Sequence, residues 1–189
     1  MREEILHYLG TSNPEEIRAL YTSADRVRAQ HVGDAIHVRA LLNISNYCRR
    51  NCLYCGLRGQ NRRLMRYRMG KDDILRTVDA AASAGYKTVL MQSGEDGWYS
   101  RAMIAETVRI IANHHDIDIA LSLGERPDDD YRCWFDAGAT RYLLKHETSD
   151  PALYRALHPG SSLDERIRIL RLLKSIGYET GSGVMVGLP

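Results

Sequence analysis

The chain has 189 residues, 44% of them apolar and 26% charged, with a formal charge of +2. Such a composition can build a folded core, and its near-neutral balance gives no global electrostatic case for binding nucleic acid. No window approaches the roughly 20 apolar residues of a membrane helix, and the charged start MREEILHYLG lacks the apolar run of a secretory signal. A cytoplasmic protein is therefore expected.

Residues 1–35 are expected to form a helical extension, with Pro14 opening a helix over 14–31. From residue 36 strands alternate with helices. The pattern predicts strands over 36–45, 86–96, 117–125, 140–148 and 178–189, and helices over 71–85, 101–115, 128–139 and 163–177. Parallel neighbours need a helical crossover, so the alternation predicts an α/β fold with about five parallel strands and outer helices. That is the first part of a TIM-type β/α barrel over 36–189. A full eightfold barrel takes about 250 residues. A partial barrel is expected, its remainder lying beyond Pro189.

Carboxyl ends of parallel strands share one rim, where ligands bind. Here each strand leaves into polar or glycine-rich sequence: SNYC, QSGED, SLGE, KHET and GSGVMVGLP. Cys48, Glu95, Glu125, Lys145, His146, Glu147 and the neighbouring glycines are thus expected to converge.

Three of the four cysteines form a C-x3-C-x2-C run at Cys48, Cys52 and Cys55, while Cys133 stands apart on a helical pattern. In a cytoplasmic chain such clusters point to metal or redox chemistry before disulfides. A structural zinc site wants four ligands, usually as paired knuckles, and no second pair is present. Cubane iron–sulfur clusters take a thiolate for each iron, so three would leave one iron open to an outside ligand. The spacing alone leaves both readings standing.

The cysteine run directly after a first barrel strand, with aromatic Tyr54 before the third cysteine, resembles the radical S-adenosylmethionine (SAM) superfamily. The resemblance implies a 4Fe–4S cluster on Cys48, Cys52 and Cys55. SAM would chelate the open iron and be reductively cleaved to a 5′-deoxyadenosyl radical. SGED resembles the family's glycine–glycine–glutamate motif, with Ser93 in place of the first glycine, Gly94 as the second, and Glu95 facing the SAM amino group. By the same resemblance Glu147 contacts the SAM ribose, Arg166 binds its carboxylate, and the backbone of Gly183 and Met185 lies against the adenine. Glu125 is expected to contact SAM or substrate, or to anchor the site. Lys145, His146 and Thr148 are expected to face the substrate.

SNYCRRNCLYCGLRGQNRRLMRYRM, LSLGE, RYLLKHET and GYETGSGVMVGLP resemble, more narrowly, the FeFe-hydrogenase maturases of the HydE type. Methylornithine synthases and biotin synthases are the neighbouring branches. This implies a small-molecule or organometallic substrate, an electron donor such as a ferredoxin or flavodoxin, and other hydrogenase maturases as partners. Arg49, Arg50, Arg58, Arg62, Arg63, Arg66 and Arg68 crowd the cysteine segment. They are expected to lie near the anionic cluster and an anionic substrate, or to be solvated. The reading from a different class is a non-catalytic zinc-stabilised or arginine-rich binding module.

Overall fold

The computed structural model describes residues 2–188. It divides into two compact units, one ending at His37 and the other beginning at Val38.

The first unit holds α1 (Arg2–Gly10) and α2 (Pro14–Val32). Asn13 caps α2 by accepting the N–H of Glu15, and Pro14 supplies the preset first helical residue. Neither helix buries a side chain. Polar contacts join them, with Thr11 donating to Glu16 and His7 3.1 Å from the same carboxylate. Helix α1 has no buried apolar stripe for periodicity to reveal.

The second unit runs β1 (Ala40–Ser45), α3 (Lys71–Ser83), β2 (Thr88–Ser93), α4 (Arg101–His114), β3 (Asp118–Ser122), α5 (Asp128–Asp136), β4 (Arg141–Leu143), α6 (Pro151–Leu157), α7 (Leu163–Ile176), β5 (Glu179–Gly181). Every pairing is parallel and the spatial order is β1-β2-β3-β4-β5. Sequential order without reversal is the winding of a β/α barrel wall, not of a doubly wound sheet. Side chains alternate accordingly. Leu42, Ile44, Val89, Met91, Ile119, Leu121 and Tyr142 enter one core with Ile74, Val108, Trp134 and Leu173 from the helices. The opposite face stays open: Leu41 is 54% exposed, and Asn43, Gln92, Ser122 and Leu143 are not buried. Buried aromatics keep their polar atoms bonded. Trp134 Nε1 donates to the Arg101 carbonyl (3.0 Å) and the Tyr178 hydroxyl to that of Tyr131 (2.7 Å). No helix among the described residues is long and apolar enough to cross a membrane.

The strands are shorter than the pattern suggests. The last is corrected most: 178–189 is expected extended, but β5 covers only Glu179–Gly181. Beyond it Val184 forms one isolated parallel bridge to Glu147. Glycines at 181, 183 and 187 supply no side chain to pack, which leaves the segment as a peptide lying along the rim. The seven-residue α6 was unforeseen. Asp150 caps it through Ala152 and Leu153 N–H, and Pro151 opens it, but it is too short to show a period.

Candidate active site

Strand β1 delivers the cysteine loop, and its first residues are fixed from below. The Ser45 hydroxyl donates to Asp96 (2.7 Å) and accepts the N–H of Tyr47 (3.0 Å). Asp96 also takes two hydrogen bonds from Arg68, at 2.7 and 3.0 Å, and the Arg68 guanidinium lies 3.7 Å from the Tyr47 ring centroid. Burial pushes the Asp96 carboxyl up, but hydrogen bonds from Arg68, Ser45 and the Trp98 N–H outweigh it and leave it below its ordinary value. A depressed native carboxylate means that the unfolded chain binds more protons. The resulting stabilisation is complete above the ordinary aspartate value of about 4 and fades as pH falls through the lower native one. The urea midpoint of the wild type should therefore drop on acidification below about pH 4, and Asp96→Asn should flatten that part of the profile. Parallel profiles for the two proteins would refute this role.

Cys48 follows, its sulfur accepting the N–H groups of Arg50 (3.4 Å) and Glu95 (3.3 Å). Hydrogen bonds of this kind to a ligating sulfur tune a bound cluster. Close approach of β2 makes this possible. A Cβ on Gly94 would stand 2.3 Å from the Tyr47 carbonyl oxygen and 2.6 Å from Cys48 Cβ. Cys52 and Cys55 sit in a turn closed by Cys55 N–H to the Cys52 carbonyl (3.0 Å). Burial pushes the Cys52 thiol up. The loop's far side is tied down by Arg66, whose guanidinium reaches the carbonyls of Asn46, Leu57, Arg58 and Asn61. Arg66 and Arg68 are thus scaffold rather than a solvated patch.

A cavity of about 260 Å³ opens against the loop, lined by Cys48, Cys52, Cys55, Tyr54, Ser93, Gly94, Glu95, Lys145, Glu147 and Arg166. Strand ends separated by up to a hundred residues meet there, as the rim rule requires. It also takes in Gln92 and Ser122, which were not foreseen, and Arg50, one of the arginines expected near the cluster or in solvent. Gln92 and Ser122 are polar residues at inward strand positions, a signal the alternation does contain. Glu125 lies behind the cavity: Arg50 links it to Glu95, and Arg166 Nε stands 3.0 Å from its Oε1. Burial holds the Glu125 carboxyl above its ordinary value in spite of Arg166 and Arg50. The Glu125 N–H donates to Glu95 Oε1 (3.0 Å), and Gly124, at φ +75°, leaves no room for a Cβ, which would meet Glu95 Cγ at 2.0 Å.

His146 bonds Ser182 (2.8 Å), and Thr148 is buried and accepts the Asp150 N–H (3.2 Å) at the head of α6; neither lines the cavity. Gly183 and Met185 serve through their backbones, Glu147 N–H donating to the Gly183 carbonyl (3.0 Å) and Met185 N–H to that of Glu147 (2.9 Å). These bonds hold Glu147 at φ 63°, a conformation costly for a side-chain-bearing residue. Its buried Oε2 has no hydrogen-bond partner among the described residues. Glu125 Oε1 is likewise without a hydrogen-bond partner among the described residues, but of the two carboxylates only Glu147 lines the cavity, where its Oε2 can accept a donor group from a ligand.

Those features fit a cluster with a small polar cofactor beside it. No three His, Cys, Asp or Glu side chains among the described residues gather round a point where one ion could sit. A single zinc would need its sulfurs drawn to about 3.8 Å of one another by bonds of about 2.3 Å. A cubane asks each thiolate to bind its own iron at a separate corner.

Comparison with known proteins gives the same answer. The [FeFe] hydrogenase maturase subunit HydE of Thermotoga maritima is 45% identical over 188 residues, which is 100% of this chain and 54% of that protein. The 3-methylornithine synthase of Methanosarcina acetivorans is 27% identical over 188 residues, 98% of this chain and 53% of that one. The crystal structure of methylornithine synthase (PylB) superposes with a TM-score of 0.92 at 28% identity, covering 99% of this chain and 56% of its own. The chain thus spans about half the length of the curated relatives it matches. The Radical SAM superfamily model matches residues 42–189, from β1 through the cysteine loop to the rim segment after β5, and the chain belongs to that superfamily, whose cofactors are a 4Fe–4S cluster and S-adenosylmethionine.

Proposed function

We propose that this chain is the cluster- and SAM-binding portion of a radical SAM enzyme acting in assembly of the FeFe-hydrogenase active-site cluster. The cavity that unites three thiols with the unpartnered Glu147 oxygen carries the first part of this reading. The second part is supported by 45% identity to HydE against 27% to a methylornithine synthase. Methylornithine formation from lysine is the second reading, favoured by the TM-score of 0.92 to PylB; biotin synthase chemistry is more distant.

Cys48, Cys52 and Cys55 hold the cluster, which when bound supplies one electron to open the C5′–S bond of SAM. The protein's own task is to place SAM. Glu147 Oε2, which its own neighbours leave without a donor, would accept a ribose hydroxyl. Arg166, whose Nε donates to the Tyr154 hydroxyl (3.2 Å) beside the Glu125 carboxylate, would use its terminal nitrogens to bind the SAM carboxylate. Glu95 already holds Arg50, Arg49 and the Glu125 N–H. A SAM ammonium there would replace a guanidinium cation for cation, so the buried carboxylate never stands uncompensated. Lys145, on the cavity lining, would face the substrate, a small or organometallic molecule. The electron comes from a ferredoxin- or flavodoxin-like donor, and the product passes to other maturases in the cytoplasm.

Anaerobic reconstitution with iron and sulfide tests this. A brown protein absorbing broadly at ~400 nm, with about four irons per chain, is expected. On reduction with SAM present it should release 5′-deoxyadenosine. A colourless protein holding one zinc refutes the enzyme reading. Conversion of lysine to methylornithine selects the second.

A further inference from the structure

His158 follows α6 directly and is 1% exposed. Its two ring nitrogens face different partners. Nδ1 is 2.9 Å from the Tyr154 carbonyl oxygen, and Nε2 is 2.7 Å from the Tyr54 hydroxyl. A carbonyl can only accept, so the proton sits on Nδ1. With the ring neutral, Nε2 carries a lone pair and the Tyr54 hydroxyl is the donor. Burial keeps the ring neutral by holding its pKa below the ordinary histidine value. The ring is also clamped: Tyr154 stacks on it with centroids 4.0 Å apart and planes at 16°. The Tyr154 hydroxyl in turn accepts from Arg166 Nε (3.2 Å). The loop's main chain meets the same helix, Leu53 N–H donating to the Leu157 carbonyl at 2.9 Å.

We propose that His158 is a positioning residue for the cofactor cavity: as the neutral Nδ1–H tautomer it accepts the Tyr54 hydroxyl and holds that ring on the cavity wall between Cys52 and Cys55. Helix α6 thereby sets the last turn of the cysteine loop before any cofactor binds. The same helix, through Tyr154, orients Arg166 on the cavity's other side. One short helix registers an aromatic wall and a cation against each other. The inference rests on the cavity's reading as the cluster and SAM site, since Tyr54 matters only if SAM lies against it.

Two measurements test it. In cluster-free protein labelled with ¹⁵N-histidine, the His158 signals should show a protonated Nδ1 and a bare Nε2. Tyr54→Phe should shift these signals most among the seven histidines. A protonated Nε2, or His158 signals untouched by Tyr54→Phe, overturns the proposal. In reconstituted protein, Tyr54→Phe and His158→Ala should each weaken SAM binding by about three- to tenfold, the value of one hydrogen bond, with iron content unchanged. The double variant should bind no worse than the weaker single. His158→Gln, whose amide oxygen can stand where Nε2 accepts, should recover most of the affinity. Additive losses, or a glutamine variant as weak as the alanine one, overturn it. If the wild type binds neither cluster nor SAM, the reading of the cavity fails instead, and the imidazole signals still decide the tautomer.

Discussion

Cys52→Ser is expected to abolish cluster assembly and 5′-deoxyadenosine formation together. Serine keeps the shape of the side chain but replaces a soft thiolate with a hydroxyl that stays protonated at neutral pH, so one iron loses its anchor. Burial already holds the Cys52 thiol above the ordinary value, so its ionisation depends on the metal it meets. Iron and sulfide analysis after reconstitution, with chromatography of the nucleoside products, reads both losses. Cys133→Ser is the control. That residue lies on α5 among side chains packed against the core, outside the cavity lining, and should change neither quantity. SAM cleavage surviving in Cys52→Ser would sink the ligand assignment.

The second large effect is expected at Gly94. A methyl group there meets the Tyr47 carbonyl oxygen at 2.3 Å and Cys48 Cβ at 2.6 Å. Both obstacles belong to the main chain or its first side-chain atom, so no rotamer change relieves the clash. Either the exit of β2 or the cysteine loop must move. Overpacking of this kind costs about 1–3 kcal/mol. The displacement also pulls the Glu95 N–H from the Cys48 sulfur, now 3.3 Å away. Gly94→Ala should therefore lower the urea midpoint and reduce iron uptake, with Cys48 intact. Gly97→Ala, three residues on where a Cβ meets nothing within 4 Å, should do neither. A wild-type midpoint with full iron content in Gly94→Ala would show that the loop is not braced against β2.

Much of the site was legible because chemistry and spacing coincide. Three thiols in eight residues after a strand, and polar exits from successive strands, name their own meeting place once a parallel sheet is inferred. The rim rule then brings Cys48, Glu95, Lys145 and Glu147 into one cavity. The ion-pair network was not legible. Arg50 reaches Glu95 across 45 positions and Glu125 across 75, and nothing local distinguishes it from exposed Arg49 beside it. Thr148 carries a local role as well. Its place in KHET suggests a ligand contact, and in the fold its hydroxyl also accepts the Asp150 N–H just ahead of α6, outside the cavity lining.

The sequence by itself determined the winding and the rim on which the three cysteines lie, because alternation and crossover are short-range patterns with few physical solutions. Only the tertiary structure decided which buried charges face each other. It left Glu147 Oε2 bare and carried the unforeseen helix α6 to the cysteine loop. The reason is common to all three. Pairing, desolvation and backbone strain depend on which distant segments share a low-dielectric space, and that is fixed by packing rather than by neighbours in the chain.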